Sequence, residues 1–277
     1  MRAGSKRMNR MTANTSTASQ QLSQLGFRFN RSGAHISRTM MLDELTDLLA
    51  YVDQPEADKS DYAFAIKEEN CLGKRSRITR TLTHKHLVEL YALERDNTLF
   101  RTLLYFWNRD VQGRPLLALM CAYARDPVLR PTARFILNVP KGERVTRESL
   151  EAFIDNIEPN RFSPVTLTST AQHINSTWTK SGHLRGQARK VRAAANPTAG
   201  SVAYAIFLSF LTGARGPALL QTEYAKLLDC AFGKAAELAE EASRRGWIVF
   251  KRMGDVIEAQ FPNLLTHEQL ERLREQN

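Results

Sequence analysis

Trp247-Ile248-Val249-Phe250-Lys251-Arg252-Met253-Gly254-Asp255-Val256-Ile257-Glu258-Ala259-Gln260-Phe261 is a β-hairpin signature: two runs rich in β-branched and aromatic residues around a Gly-Asp turn. Upstream, the apolar period changes to that of a helix. One helix is expected at about 200–212 (Val202, Ile206, Phe207, Phe210), a short one at about 222–229 (Tyr224, Leu227, Leu228), and a longer one at about 231–245, stopped by Gly246. Asn196-Pro197 opens this unit. Three helices followed by a hairpin is the order of a winged helix, here assigned to residues 196–265, with 266–277 as a tail. Its third helix carries Glu237, Glu240 and Glu241, which phosphates repel. Lys234, Arg244, Arg245, Lys251 and Arg252 favour DNA, so the unit suits a protein partner at least as well as a nucleic acid.

Between residues 97 and 157 the chain is densely apolar, and Gly113, Asp126-Pro127 and Pro140 divide it into three helices, with Thr146 capping a fourth. This is bundle core. Ser163-Pro164 starts a further helix, Ser as cap and Pro at the first position. Leu167, Ala171, Ile174 and Trp178 form its buried stripe, and Ser169, His173, Ser176 and Lys180 its other face. That face suits phosphate contact or plain solvation equally. Gly182 ends the helix, and HLRGQARKVRAA (183–194) is either a wing hairpin turning at Gly186 or a loop.

Nearer the N-terminus, Met41, Leu45, Leu48, Leu49 and Val52 mark a helix broken at Pro55. Ser60 caps a second, containing Tyr62, Phe64 and Ile66. After the turn Asn70-Cys71-Leu72-Gly73, a third runs from about Ser76 to Leu93, with Ile78, Leu82, Leu87, Leu90 and Tyr91 as its apolar residues. Helix, short Gly-containing turn, helix is a helix-turn-helix pattern, and Lys74, Arg75, Arg77 and Arg80 open its second helix. Such residues pair with phosphates, and Arg also reaches guanine edges; the same pattern occurs in bundles that bind no DNA.

The 277 residues carry a net +10 that is unevenly placed. Residues 1–40, 70–88 and 159–222 hold seven, five and seven basic residues and no acid, so they carry +19 and the remainder −9. Lys85, Arg189, Lys190 and Arg192 belong to these stretches. Basic stretches on an acidic body are the footprint of a polyanion ligand. Residues 1–33, rich in Ser, Thr, Asn, Gln and Arg, read as a flexible basic arm (Arg2, Lys6, Arg7, Arg10, Arg28, Arg31).

Catalytic and cofactor motifs are missing. GKRS (73–76) lacks the upstream Gly of a P-loop, and His84 and His86 fall on different helix faces, wrong for chelation. No nucleophile elbow, HExxH or dinucleotide turn occurs. The expectation is a non-enzymatic protein without metal or cofactor. Three Cys without a CxxC, apolar runs about half of a membrane span, and no apolar stretch behind the basic N-terminus lead us to expect a cytoplasmic chain.

AIKEENCLGKRSRITRTLTHKHLVELY (65–91) resembles the ENxLxxRxxSxxxRxxxxxxxRL element of BrxA proteins, accessory components of bacteriophage-exclusion (BREX) defence systems. LLALMCAYARDPVLRPTARFIL (116–137) is similar to their central helices, and STAQHINSTWTKSGHLRG (169–186) to their Ser-Thr helix. The CLGKR turn departs from the pattern and shifts its register. The resemblance, over roughly residues 30–190, implies an all-helical protein with winged-helix elements that binds double-stranded DNA without catalysis. By position it implies DNA-facing roles for Lys74, Arg75, Arg77, Arg80, Lys180 and Arg185.

Together these readings describe a mainly α chain: a helical bundle with helix-turn-helix and winged-helix units and a small C-terminal hairpin wing. Its expected divisions are an arm (1–33), a helix-turn-helix domain (34–110), a central helical domain (111–195), the winged unit (196–265) and a tail (266–277). The expected role is duplex DNA binding, mainly through phosphates, in a BREX-type system with other defence proteins as partners. The alternatives are a scaffolding subunit or an RNA-binding helical protein.

Overall fold

The computed structural model describes residues 19–54 and 56–274, so Arg2, Lys6, Arg7 and Arg10 of the arm and the break at Pro55 lie outside the described residues. After a 3₁₀ turn at Ala34–Ile36, the first half of the chain folds as α1 (Leu42–Tyr51), α2 (Lys59–Lys67), α3 (Arg77–Tyr91), α4 (Thr98–Trp107), α5 (Arg114–Arg125) and α6 (Thr132–Asn138). Next come β1 (Arg144–Val145), α7 (Arg147–Ile157), α8 (Pro164–Lys180), β2 (Leu184–Arg185) and β3 (Lys190–Arg192). The last part comprises α9 (Ala199–Leu211), a 3₁₀ turn at Gly216–Leu220, α10 (Glu223–Lys226), α11 (Phe232–Arg244), β4 (Val249–Met253), β5 (Val256–Gln260) and α12 (His267–Arg274).

Local chemistry accounts for most of the boundaries. Ser76, Asn97, Thr146 and Ser163 each accept a hydrogen bond from a first-turn N–H of the helix that follows. The cap of α2 is Asp58 and not Ser60: Asp58 accepts from the Ser60 and Asp61 N–H groups, and the Asp61 carboxylate accepts from the Asp58 N–H in return. The segment 183–194 forms the β2–β3 hairpin, to which β1 adds an edge, giving the antiparallel order β1-β3-β2. β4 and β5 pair in register from Val249–Gln260 to Met253–Val256, as the opening hairpin predicts.

The expected divisions at 110/111 and 195/196 fall within one hydrophobic core. α9 is the reason. Its run VAYAIFLSFL is apolar on every face because α9 packs against α4, α5, α10 and α11 at once. Asp110 fastens its start, accepting from the Gly200 N–H at 2.8 Å and from the Gly113 N–H at 3.1 Å. Residues 27–31, expected within the flexible arm, are instead tied to the fold. Phe27 is 2% exposed in the core, the Arg28 N–H bonds the Ala124 carbonyl, and Arg31 pairs with Glu158 at 2.5 Å. The tail expected from 266 onward is largely α12.

Two buried polar clusters hold the basic helices in place. His35 joins Asp126 (Nδ1 to Oδ2, 2.8 Å) to Thr177 of α8 (Nε2 to Oγ1, 2.9 Å), and the Met40 N–H donates to the same Thr177 oxygen at 2.8 Å. Burial alone would raise the Asp126 pKa, but His35 and backbone N–H donors hold it below the usual carboxylate range. Thr177→Val should leave two buried groups unpaired and cost roughly 2–6 kcal/mol in urea denaturation, at about 1–3 kcal/mol per group; an unchanged midpoint would exclude a structural role for this cluster. At the other end, the buried Arg125 guanidinium donates to the carbonyls of Val88, Glu89 and Gly26. It thereby caps the C-terminal end of α3, where cations are favoured.

Candidate nucleic-acid interface

α3 is gripped at its C-terminal half and free at its start. Thr83, Leu87, Leu90 and Tyr91 are buried, whereas Arg77, Ile78, Thr81, Leu82 and Lys85 form the outward face. Ile78 and Leu82, expected as packing residues, are instead 74% and 40% exposed. A face mixing cations, a hydroxyl and two aliphatics can meet phosphates, base edges and thymine methyl groups. Arg75, Arg77 and Lys85 are exposed and make no ion pair among the described residues. Arg80 turns inward: its Nη1 donates to the Glu68 carbonyl at 3.4 Å and its Nε is buried. It therefore supports the turn and does not belong to the outward face.

Two of the expected DNA contacts are spent within the fold. Lys74 pairs with Glu44 at 3.2 Å and Lys180 with Asp43 at 2.5 Å. Both acids lie in the first turn of α1, so α1 joins the start of α3 to the end of α8. Residues from two distant basic stretches thus converge on one helix end, but with their charge compensated.

The second basic region is the β2–β3 hairpin. Arg185 and Arg189 are exposed at its turn without ion-pair partners among the described residues. Gly186 adopts φ +96, and a Cβ there would collide with the Arg189 carbonyl oxygen, so only glycine fits the turn. Lys190 folds back, donating to the Gly186 carbonyl at 2.7 Å, and burial lowers its pKa. Arg192 corrects the sequence expectation outright. Its side chain is 1% exposed and binds Asp229 through both terminal nitrogens, at 2.8 and 2.9 Å. A guanidinium buried in this way cannot reach a phosphate. Periodicity could not reveal this, because its partner lies 37 residues away.

A cleft of about 480 Å³ opens between this hairpin, β1, the start of α7 and the middle of α8. Arg144 and Arg147 line it with Gln172, Ser176 and Gln187; of these, the sequence reading marks Ser176 alone. The interspersed acids Glu143 and Glu148 hide the two cations from a search for acid-free runs. On α8, His173 and Lys180 leave the solvent face for contacts with His35 and Asp43, while Gln172 and Ser176 remain at the cleft.

Behind the hairpin, His183 is buried between Ser181 Oγ (2.9 Å from Nδ1) and the Leu227 carbonyl (3.0 Å from Nε2), and burial lowers its pKa to about 4. The unfolded chain, with a His pKa near 6.5, binds the proton more readily. Stability from this site is therefore complete above about pH 6.5 and falls as pH drops toward about 4. The melting temperature of the wild type should fall more steeply over that window than that of His183→Gln; parallel curves would refute it.

Among the described residues no group of three His, Cys, Asp or Glu side chains is placed to hold a metal, and no helix is long and apolar enough to cross a membrane. No family model and no curated protein sequence matches the chain.

Proposed function

We propose that the chain is a non-enzymatic, cytoplasmic DNA-binding protein that grips duplex DNA chiefly through its phosphates. The observation that carries this reading is the order α6-β1-α7-α8-β2-β3 with the sheet arranged β1-β3-β2. This is the order of a winged helix, with α8 as its reading helix and the Arg185–Arg189 turn as its wing. The outward face of α3, following the turn after α2, supplies a second basic element of helix-turn-helix type. The resemblance of residues 65–91, 116–137 and 169–186 to BrxA proteins supports a place in a BREX-type defence system.

Gel shifts on random-sequence duplex test this reading. Binding is expected at low salt and should weaken steeply as salt rises, because each neutralised phosphate releases counterions. No shift at low salt overturns it. Competition with double-stranded RNA distinguishes an RNA-binding protein, since RNA would then displace the DNA.

A scaffolding role is favoured for the C-terminal unit alone. α11 presents Glu237, and Glu240 and Glu241 are half-buried beside it, while Met253 and Val256 stand exposed at the β4–β5 tip. Exposed apolar surface of this kind suits a protein partner better than a phosphate backbone, while Glu237 and Glu241 are compensated by Lys234 and Arg245. Recovery of defence proteins on the full chain after nuclease treatment, lost in Met253→Asp/Val256→Asp, is the expected result.

A further inference from the structure

With His173 and Lys180 drawn to the His35 carbonyl and to Asp43, the open face of α8 is left without charge. Val165, Ser169, Gln172 and Ser176 follow one another along it at spacings of four, three and four residues. At about 3.6 residues per turn they fall within a sector of about 60°, opposite the buried Ala171, Ile174 and Trp178. Val165 is 81% exposed, and Gln172 is exposed as well. Neither Gln172 nor Ser176 has a hydrogen-bond partner among the described residues. The Ser169 hydroxyl donates to the Thr166 carbonyl at 3.0 Å, and its oxygen can still accept.

A face that only grips a phosphate backbone carries cations, as the exposed Arg185 and Arg189 of the neighbouring hairpin do. This stripe offers one amide with both a donor and an acceptor, two hydroxyls and one aliphatic group. Those are base-edge groups. In the major groove a Gln amide pairs with adenine N6 and N7 together, an aliphatic packs on the thymine methyl, and Ser serves several bases. Guanine presents two acceptors there and calls for Arg or Lys, which the stripe lacks. Of the cations beside Gln172 and Ser176, Arg147 is paired with Glu148 and Glu151, and Lys190 is bonded to the Gly186 carbonyl.

We propose that α8 reads an A·T base pair in the major groove through Gln172. This rests on the winged-helix reading above and adds to it a preference among sequences. Phosphate contacts supply most of the affinity and are indifferent to sequence; the uncharged stripe of the reading helix supplies the discrimination.

Selection of duplexes from a randomised pool by the full chain, followed by gel shifts on the selected sequence, tests the proposal. The selected duplexes should share an A·T pair. Exchanging it for G·C should weaken binding about tenfold, within the range of one bidentate base contact. An I·C pair, which resembles A·T in the minor groove and G·C in the major groove, should weaken it as much. Gln172→Ala should abolish the discrimination at that pair. Gln172→Glu should turn it toward C·G, because a carboxylate accepts from cytosine N4. A residue that merely supported the fold would not redirect the preference in this way. Gln172 is exposed, and unchanged melting temperatures would establish that both variants fold. Duplex binding with no sequence in common among the selected pool overturns the proposal and leaves the winged-helix reading standing. So does a preference that I·C preserves, or one that Gln172→Ala leaves intact. Failure to bind any duplex removes both.

Discussion

Arg192→Ala is expected to cost about 3–5 kcal/mol of folding stability, the scale for breaking a buried ion pair by removing one partner. Arg192 donates to both Asp229 oxygens, to the Ile136 carbonyl through Nε at 2.9 Å, and to the His183 carbonyl at 3.2 Å. Asp229 also accepts the Ala195 N–H at 3.1 Å. One guanidinium thus ties β3, the end of α6 and the loop before α11 together. Burial would raise the Asp229 pKa, but Arg192 keeps it low, so the variant leaves a largely buried carboxylate whose remaining partners among the described residues are the Ala195 N–H and the more distant Lys141 ammonium at 3.7 Å. Urea denaturation should show the loss, while Arg189→Ala, three residues away and exposed, should stay within about 0.5 kcal/mol of wild type. Arg192→Leu/Asp229→Leu should recover much of the deficit, because replacing both members of a buried pair is often close to neutral. An Arg192→Ala protein with wild-type stability and weakened DNA binding would reverse the assignment.

The second large effect concerns the exposed cations. Replacing Arg77, Lys85, Arg185 and Arg189 together by Ala should weaken binding to all duplex sequences alike. It should also reduce the slope of log affinity against log salt by about four, near 0.9 for each phosphate that is no longer neutralised. Lys74→Ala and Lys180→Ala should change the slope little, because Glu44 and Asp43 already neutralise those charges. A four-residue variant that keeps the wild-type slope would place the DNA on another face.

The contrast between these groups of cations shows how far the sequence can be read. Helix starts at Ser76, Thr146 and Ser163 and the hairpin turn at Gly254 are local, decided by residues within a few positions, and the structure has them where the sequence puts them. The cap of α2 is displaced by two residues because Asp58 competes with Ser60 for the same N–H groups. Ile78 and Leu82 look like core in sequence because periodicity records apolarity and carries no information about whether a neighbour covers it. Arg144 and Arg147 escape notice because adjacent acids cancel their charge in sequence but do not stop them lining the cleft.

The opening hairpin, the helical content and the acid-free basic stretches are thus determined by the sequence alone, since period, turn chemistry and charge are properties of short segments. Tertiary structure decides which basic residues face solvent. Arg192 lies in the same basic run as Arg185 and Arg189, yet burial beside Asp229 makes it a structural strut and leaves the other two exposed. The physical reason is that a charge acquires its role from the distance to its counter-charge and from its access to water. Both are set by residues far away in the chain.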